Sequence, residues 1–200
     1  MFKKNLHITF DGATDNLLSL HPQKDLPKKT NIEIPQGYHL ILMNKDGTSE
    51  LIQNQYNHVT KDYVMYVYYV KHHQGVHRSK WGTRSRIDVM THEGDAMTLG
   101  GYGTLEWRIV NPIQLITRRL IKSDEMKADD IAQLLLDKLP NAFQSVLEGK
   151  TIDPSDLSDI KQVLKKTVEQ SLNDDLNSSG IQIEDFIIES INLQPKQEEE

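Results

Sequence analysis

Residues 80–112 read KWGTRSRIDVMTHEGDAMTLGGYGTLEWRIVNP, and the order of signals within them decides the fold class. A Trp81-Gly82-Thr83 corner leads into a strand in which Ile87 and Val89 alternate with Asp88 and Met90. An acidic Gly turn over 91–95 follows, and 97–110 form a second, longer strand. Gly100, Gly101 and Gly103 weaken a strand interior, which marks a bulge or a sharp coil of the sheet. Asn111-Pro112 then opens a helix, the amide capping the first turn and the proline ring presetting its φ. The stretch is the heart of a sheet handing over to helices, and it holds neither a nucleophile beside a base nor a phosphate-cradling loop.

Outward toward the amino end, YVMYVYYV at 63–70 is β-branched and aromatic throughout, the composition of a strand covered on both faces. Between it and Trp81, KHHQGVHRS (71–79) reads as a polar loop. IEIPQGYHLILM (32–43) alternates and then becomes continuously apolar, one strand passing from edge to core. Asp46-Gly47 supplies the positive φ of a tight hairpin, with SELIQNQY (49–56) as the return strand. Residues 1–30 form a lead-in segment with a short strand-like LHITF, an apolar LLSL and the polar HPQKDLPKK.

Outward toward the carboxyl end, IQLITRRLIK (113–122) forms a short helix. Ser123 caps a second one, with Asp124 and Glu125 in its first turn at the positive end of the dipole. Ile131, Leu134, Leu135, Leu139, Phe143, Val146 and Leu147 recur at spacings of three and four along it, and Pro140 is expected to kink or split it. Asp153-Pro154 opens a third helix, to Ser179, with a stripe of Leu157, Ile160, Leu164, Val168, Leu172 and Leu176. The stripe packs either on the chain's own sheet or on a neighbouring copy. Gly180 is a left-handed terminator. IQIEDFIIESINL (181–193) is a closing strand whose alternation slips near Asp185, again a bulge, and 194–200 form a disordered tail. Strands followed by helices and one further strand define an α+β fold: a strongly curved, mainly antiparallel sheet, three helices and a closing strand over 31–193.

Composition narrows the function. The 200 residues are 37% hydrophobic and 26% charged, an ordinary globular balance. A net charge of -6 argues against nucleic-acid binding, which rests on basic side chains neutralising phosphates. The chain has no cysteine, which excludes disulfides, thiolate metal sites and thiol catalysis and favours an intracellular setting. MFKKNLHITFDG has no apolar run behind its charges and is not a secretory signal. The longest apolar run, 63–70, falls well short of the roughly 20 residues of a membrane span.

The chemistry-bearing residues have bland readings. His72, His73 and His77 with His92 and Glu93 carry the ligand types for zinc, yet no helix holds them on one face, so a solvated loop is expected and no metal or cofactor. The three glycines around Tyr102 lack the helix a dinucleotide site needs. Asp124, Glu125, Asp129 and Asp130 are dipole partners on a solvated face, and Trp81 and Trp107 are buried anchors of the sheet.

Four stretches together resemble a known family: LLSLHPQKDLPKKT (17–30), the Lys80-Trp81-Gly82-Thr83 corner, GYGTLEWRIVNP (101–112) and GIQIEDFIIESI (180–191). They are similar to the SPFH or band 7 domain of stomatins, prohibitins and flotillins, and within it to the bacterial branch often labelled virion core protein. The resemblance marks Lys80, Trp81, Gly82, Thr83, Gly101, Gly103, Trp107 and Pro112 as fold-signature and candidate interaction residues. It implies a non-catalytic, cofactor-free scaffold that forms homo-oligomers and organises membrane-associated proteins, cytoplasmic and peripheral at the inner face of the cell membrane. The alternatives are a small metal-dependent enzyme using His72, His73 and His77, or a lipid- or protein-binding module that does not self-assemble.

Overall fold

Turn residues cut the apolar runs of this chain into short strands. The computed structural model describes residues 6–13, 15–71, 75–83, 86–118, 124–147, 150–153, 155 and 157–196. The first strands are β1 (His7–Ile8), β2 (Leu18–Leu20), β3 (Asn31–Glu33), β4 (Tyr38–Met43), β5 (Ser49–Ile52), β6 (Asn57–Val59) and β7 (Tyr66–Lys71). Strands β8 (His77–Gly82), β9 (Ile87–Thr91) and β10 (Ala96–Ile109) precede helix α1 (Pro112–Thr117). Strand β11 (Glu125–Met126) leads into α2 (Ala128–Leu147), β12 (Thr151–Ile152) precedes α3 (Leu157–Leu176), and β13 (Ile181–Pro195) closes the order. The class is α+β and the pairing mainly antiparallel, with three helices and a closing strand, but the strands form several sheets and not one.

The chain divides into two compact units, Met1–Gln74 with Asn111–Ile131, and Gly75–Val110 with Ala132–Glu200. In the first, one sheet runs β11-β2-β7-β4-β5 and a smaller one β1-β3-β6. Leu26, Ile32, Leu40, Val67 and Tyr69 belong to its core, where Phe10 packs edge-on to Tyr69. The Asp46-Gly47 hairpin forms as expected, Gly47 taking φ +85° between β4 and β5. The expected single strand over 32–43 is two strands in different sheets, because Pro35 and a left-handed Gly37 (φ +86°) turn the chain between them. Strand β7 buries Val67 and Tyr69 on one face while Tyr66 and Tyr68 on the other are half-buried. The lead-in segment is built into the sheets, β1 beside β3 and β2 beside β7.

Asn111 caps α1 as anticipated, its Oδ1 accepting the N–H groups of Ile113 and Gln114, with Pro112 opening the helix. The second helix begins later than expected. Glu125 pairs in β11 with Ser19, and the Asp124 carbonyl accepts the Leu20 N–H, so neither acid lies in a helical turn. Asp129 and Asp130 occupy that place, Asp130 Oδ2 reaching back 2.7 Å to the Lys127 N–H. Ser123 lies outside the described residues.

In the second unit a sheet runs β12-β9-β10-β13, with β8 also paired to β10. Strands β10 and β13 form a long antiparallel ribbon whose register shifts between Tyr102 and Gly103 and between Glu106 and Trp107. Each shift inserts one residue of β13, Glu189 and Glu184 respectively, so bulges fall where the glycines and the slip near Asp185 place them. Strand β13 continues through Gln194 and Pro195, residues read from sequence as tail; 197–200 lie outside the described residues. Residues 71–79 are not all loop: polar His77, Arg78 and Ser79 belong to β8. Helix α2 runs through Pro140 without splitting. Helix α3 is shorter than expected, about 30 Å at 1.5 Å per residue; Pro154 lies outside the described residues. Its Leu164, Val168, Leu172 and Leu176 are buried and the helix packs on β13, so these four members of the stripe are core, whereas Leu157 and Ile160 are only part-buried. Gly180 takes φ +77° and turns the chain into β13.

Candidate functional site

The Trp-Gly-Thr corner ends β8 and walls a cavity of about 250 Å³ together with α2. Alternation along β8 turns His77, Ser79 and Trp81 inward, and Arg78, Lys80 and Gly82 are exposed. Trp81 stacks on Phe186 of β13 at 4.7 Å between ring centres and meets Phe143 of α2 at 5.5 Å. Its indole N–H donates to the Ile187 carbonyl at 3.1 Å, so the ring is fixed at both its apolar faces and its polar tip.

That carbonyl explains a glycine. Gly103 pairs with Trp81 across β8 and β10, and a Cβ on it would stand 2.0 Å from the Ile187 oxygen. Only a residue without a side chain lets the bulged β13 backbone come close enough for Trp81 to hold it. Gly101 is similarly confined, its added Cβ lying 2.9 Å from the Ser190 oxygen. Thr83 prolongs the ladder past the corner: its N–H donates to the Gly101 carbonyl at 2.9 Å, and its Oγ1 accepts the Gly101 N–H at 3.1 Å.

Lys80, Trp81, Gly82 and Thr83 therefore line one cavity, and Gly101 and Gly103 support its wall from behind. Trp107 is fully buried elsewhere on β10, stacked at 4.2 Å on His77 and donating to Ser79 Oγ at 3.1 Å. Pro112 belongs to the first unit, where it opens α1. Sequence reasoning missed the far wall, supplied by Leu139, Pro140 and Phe143 of α2. The signal available was Pro140, a helix breaker kept in a helix interior.

Among the described residues, two charged side chains line the cavity, Lys80 and Asp137. Asp137 accepts a hydrogen bond from Gln133 at 2.6 Å, and Lys80 has no ion-pair partner among the described residues. The neighbouring cation Arg78 is bound to Glu106 at 2.8 Å. The candidate metal ligands go separate ways. His77 stacks on Trp107, and His92 Nδ1 lies 2.8 Å from Thr151 Oγ1. Among the described residues no group of three or more His, Asp or Glu side chains could hold a metal ion, and His72 and His73 lie outside them.

A glycine-relieved ribbon, a corner locked by one tryptophan, and an apolar cavity with a cation at its rim are the features of this region. The sequence matches the family model described as SPFH domain-Band 7 family over residues 34–200, and the chain belongs to that family. No individually curated protein matches it. The family is in general one of membrane-associated, non-catalytic scaffolds. Among the described residues no helix is long and apolar enough to cross a membrane.

Proposed function

We propose that this protein is a scaffold of the bacterial virion core protein branch of the family, which self-associates and recruits membrane-associated proteins at the cytoplasmic face of the cell membrane. The family match over 34–200 is the observation that carries this reading. The composition is compatible with it: the chain is acidic overall and lacks cysteine, which excludes thiol chemistry. Its attachment to the membrane is peripheral, through partners.

Light scattering and native mass spectrometry over a concentration series test the self-association. The expected outcome is mass that grows with concentration, together with co-fractionation of the protein with the inner membrane of its host. A strict monomer at every concentration that stays wholly in the soluble fraction overturns the proposal.

A further inference from the structure

We infer that the outer edge of β8 and the cavity beside it form a docking site for an extended, acidic peptide segment carrying one large apolar side chain. The inference rests on the recruiting role just proposed and names the kind of segment recruited.

Three observations converge. First, β8 pairs with β10 alone among the described strands, so no described strand covers its other edge. Thr83 and its alternates along the strand direct their main-chain groups to β10, as the Thr83 N–H to the Gly101 carbonyl shows. In an antiparallel ladder the intervening Lys80 and Gly82 then direct theirs outward. An added strand would find two N–H groups and two carbonyls there, and the exposed Gly82 has no side chain to obstruct it. Second, the cavity is continuous with this edge, since Lys80, Trp81, Gly82 and Thr83 line it in succession. Trp81, Leu139, Pro140 and Phe143 give it an apolar wall, and about 250 Å³ accommodates a phenylalanine or leucine side chain. Main-chain pairing supplies affinity in strand addition, and such a pocket supplies selectivity. Third, among the described residues that line the cavity Lys80 is the one cation, with no ion-pair partner among them, in a chain whose net charge is -6. Lysine on an open edge discourages indiscriminate pairing, and here it also selects a segment with a carboxylate beside its anchor.

The probe is the peptide acetyl-Val-Glu-Phe-Glu-Val-amide, in which each carboxylate is next to the anchor and on the opposite face of the strand, titrated into the whole protein and followed by nuclear magnetic resonance. The chain has two tryptophans, so Trp81 reports on the cavity and Trp107 is the internal control. Binding is expected to move the Trp81 indole and the Lys80 and Gly82 amides, with a Kd of roughly 0.1 mM, and to leave the Trp107 indole in place. Replacing the peptide's Phe by Ser, or methylating its main-chain nitrogens, is expected to weaken binding about tenfold or more. Gly82→Pro removes one outward donor at an edge where proline is tolerated, and is expected to weaken binding at least about fivefold. Gly82→Ala retains binding, since an added Cβ there meets nothing closer than 3.8 Å. Lys80→Glu weakens binding of the acidic peptide. No shift at Trp81 or Gly82, equal shifts with the N-methylated peptide, or a Gly82 amide already protected from exchange by self-pairing without peptide overturns the inference. Oligomeric state and membrane fractionation are read separately: a self-associating protein that ignores the peptide defeats this inference alone, and a soluble monomer that binds it defeats the scaffold reading alone.

Discussion

Gly103 shows how one missing methyl group organises a neighbourhood. With the Ile187 oxygen 2.0 Å from where its Cβ would be, Gly103→Ala must push β13 away and break the Trp81 to Ile187 hydrogen bond. The expected loss of stability is about 3 kcal/mol or more, measured by urea unfolding, and the Trp81 indole should move while the Trp107 indole changes less. Tyr69 is a second sensitive residue. It is 1% exposed in the core of the first unit, and burial, with Asp11 and Glu33 nearby, pushes its hydroxyl well above the usual tyrosine value. A group that holds its proton more tightly when folded than when unfolded costs stability once the pH rises past the unfolded value, near 10. Stability should therefore fall above about pH 10, and Tyr69→Phe should reduce that fall in denaturant titrations at pH 8 and pH 11.

Among the elements, the junction of α3 with β13 offers the sharpest test. Asn173 of α3 holds Ile183 by both main-chain groups: its Oδ1 accepts the N–H at 2.8 Å and its Nδ2 donates to the carbonyl at 3.1 Å. Asn173→Ala strands both groups of a part-buried edge and is expected to cost about 2 kcal/mol, read by thermal unfolding, whereas Asn173→Gln recovers little because its amide stands one carbon too far. The elements also differ in how openly the sequence declares them. The β10 and β13 bulges were legible because glycines and a slipped alternation mark them locally. Strand β8 was not, because His77 and Ser79 on its inward face are polar and erase the contrast between faces. The run from Ile32 to Met43, alternating and then continuously apolar, hid a change of sheet that Pro35 and Gly37 impose. Strands as short as β11 and β12 have no period of their own and exist only through Leu18, Ser19, Met90 and Thr91 of their neighbours. Half of the candidate site was visible as Lys80-Trp81-Gly82-Thr83; the other wall comes from Leu139, Pro140 and Phe143, which only tertiary folding brings to it.

For the whole molecule, the chain crosses between its two units three times, since each is made of two separate stretches. A single cut therefore does not yield both intact. The fragment 132–200 holds α3 and β13 but lacks β10, β8 and β9, the partners that satisfy the sheet. It is expected to be largely unfolded by circular dichroism and to show collapsed amide dispersion, while the fragment 1–131 keeps every stretch of the first unit and should retain dispersed signals from it. A dispersed, cooperatively melting 132–200 fragment would contradict this account of the second unit.

The long ribbon has a further consequence for how the protein is made. On the ribosome β10 emerges well before β13, the strand that covers one of its sides, because α1, α2 and α3 lie between the two in the chain. Until then a β-rich, glycine-studded edge waits without its mate, and contacts so distant along the chain close slowly. Nascent chains stalled before residue 181 should accordingly depend on chaperones far more than chains extended beyond residue 195 do.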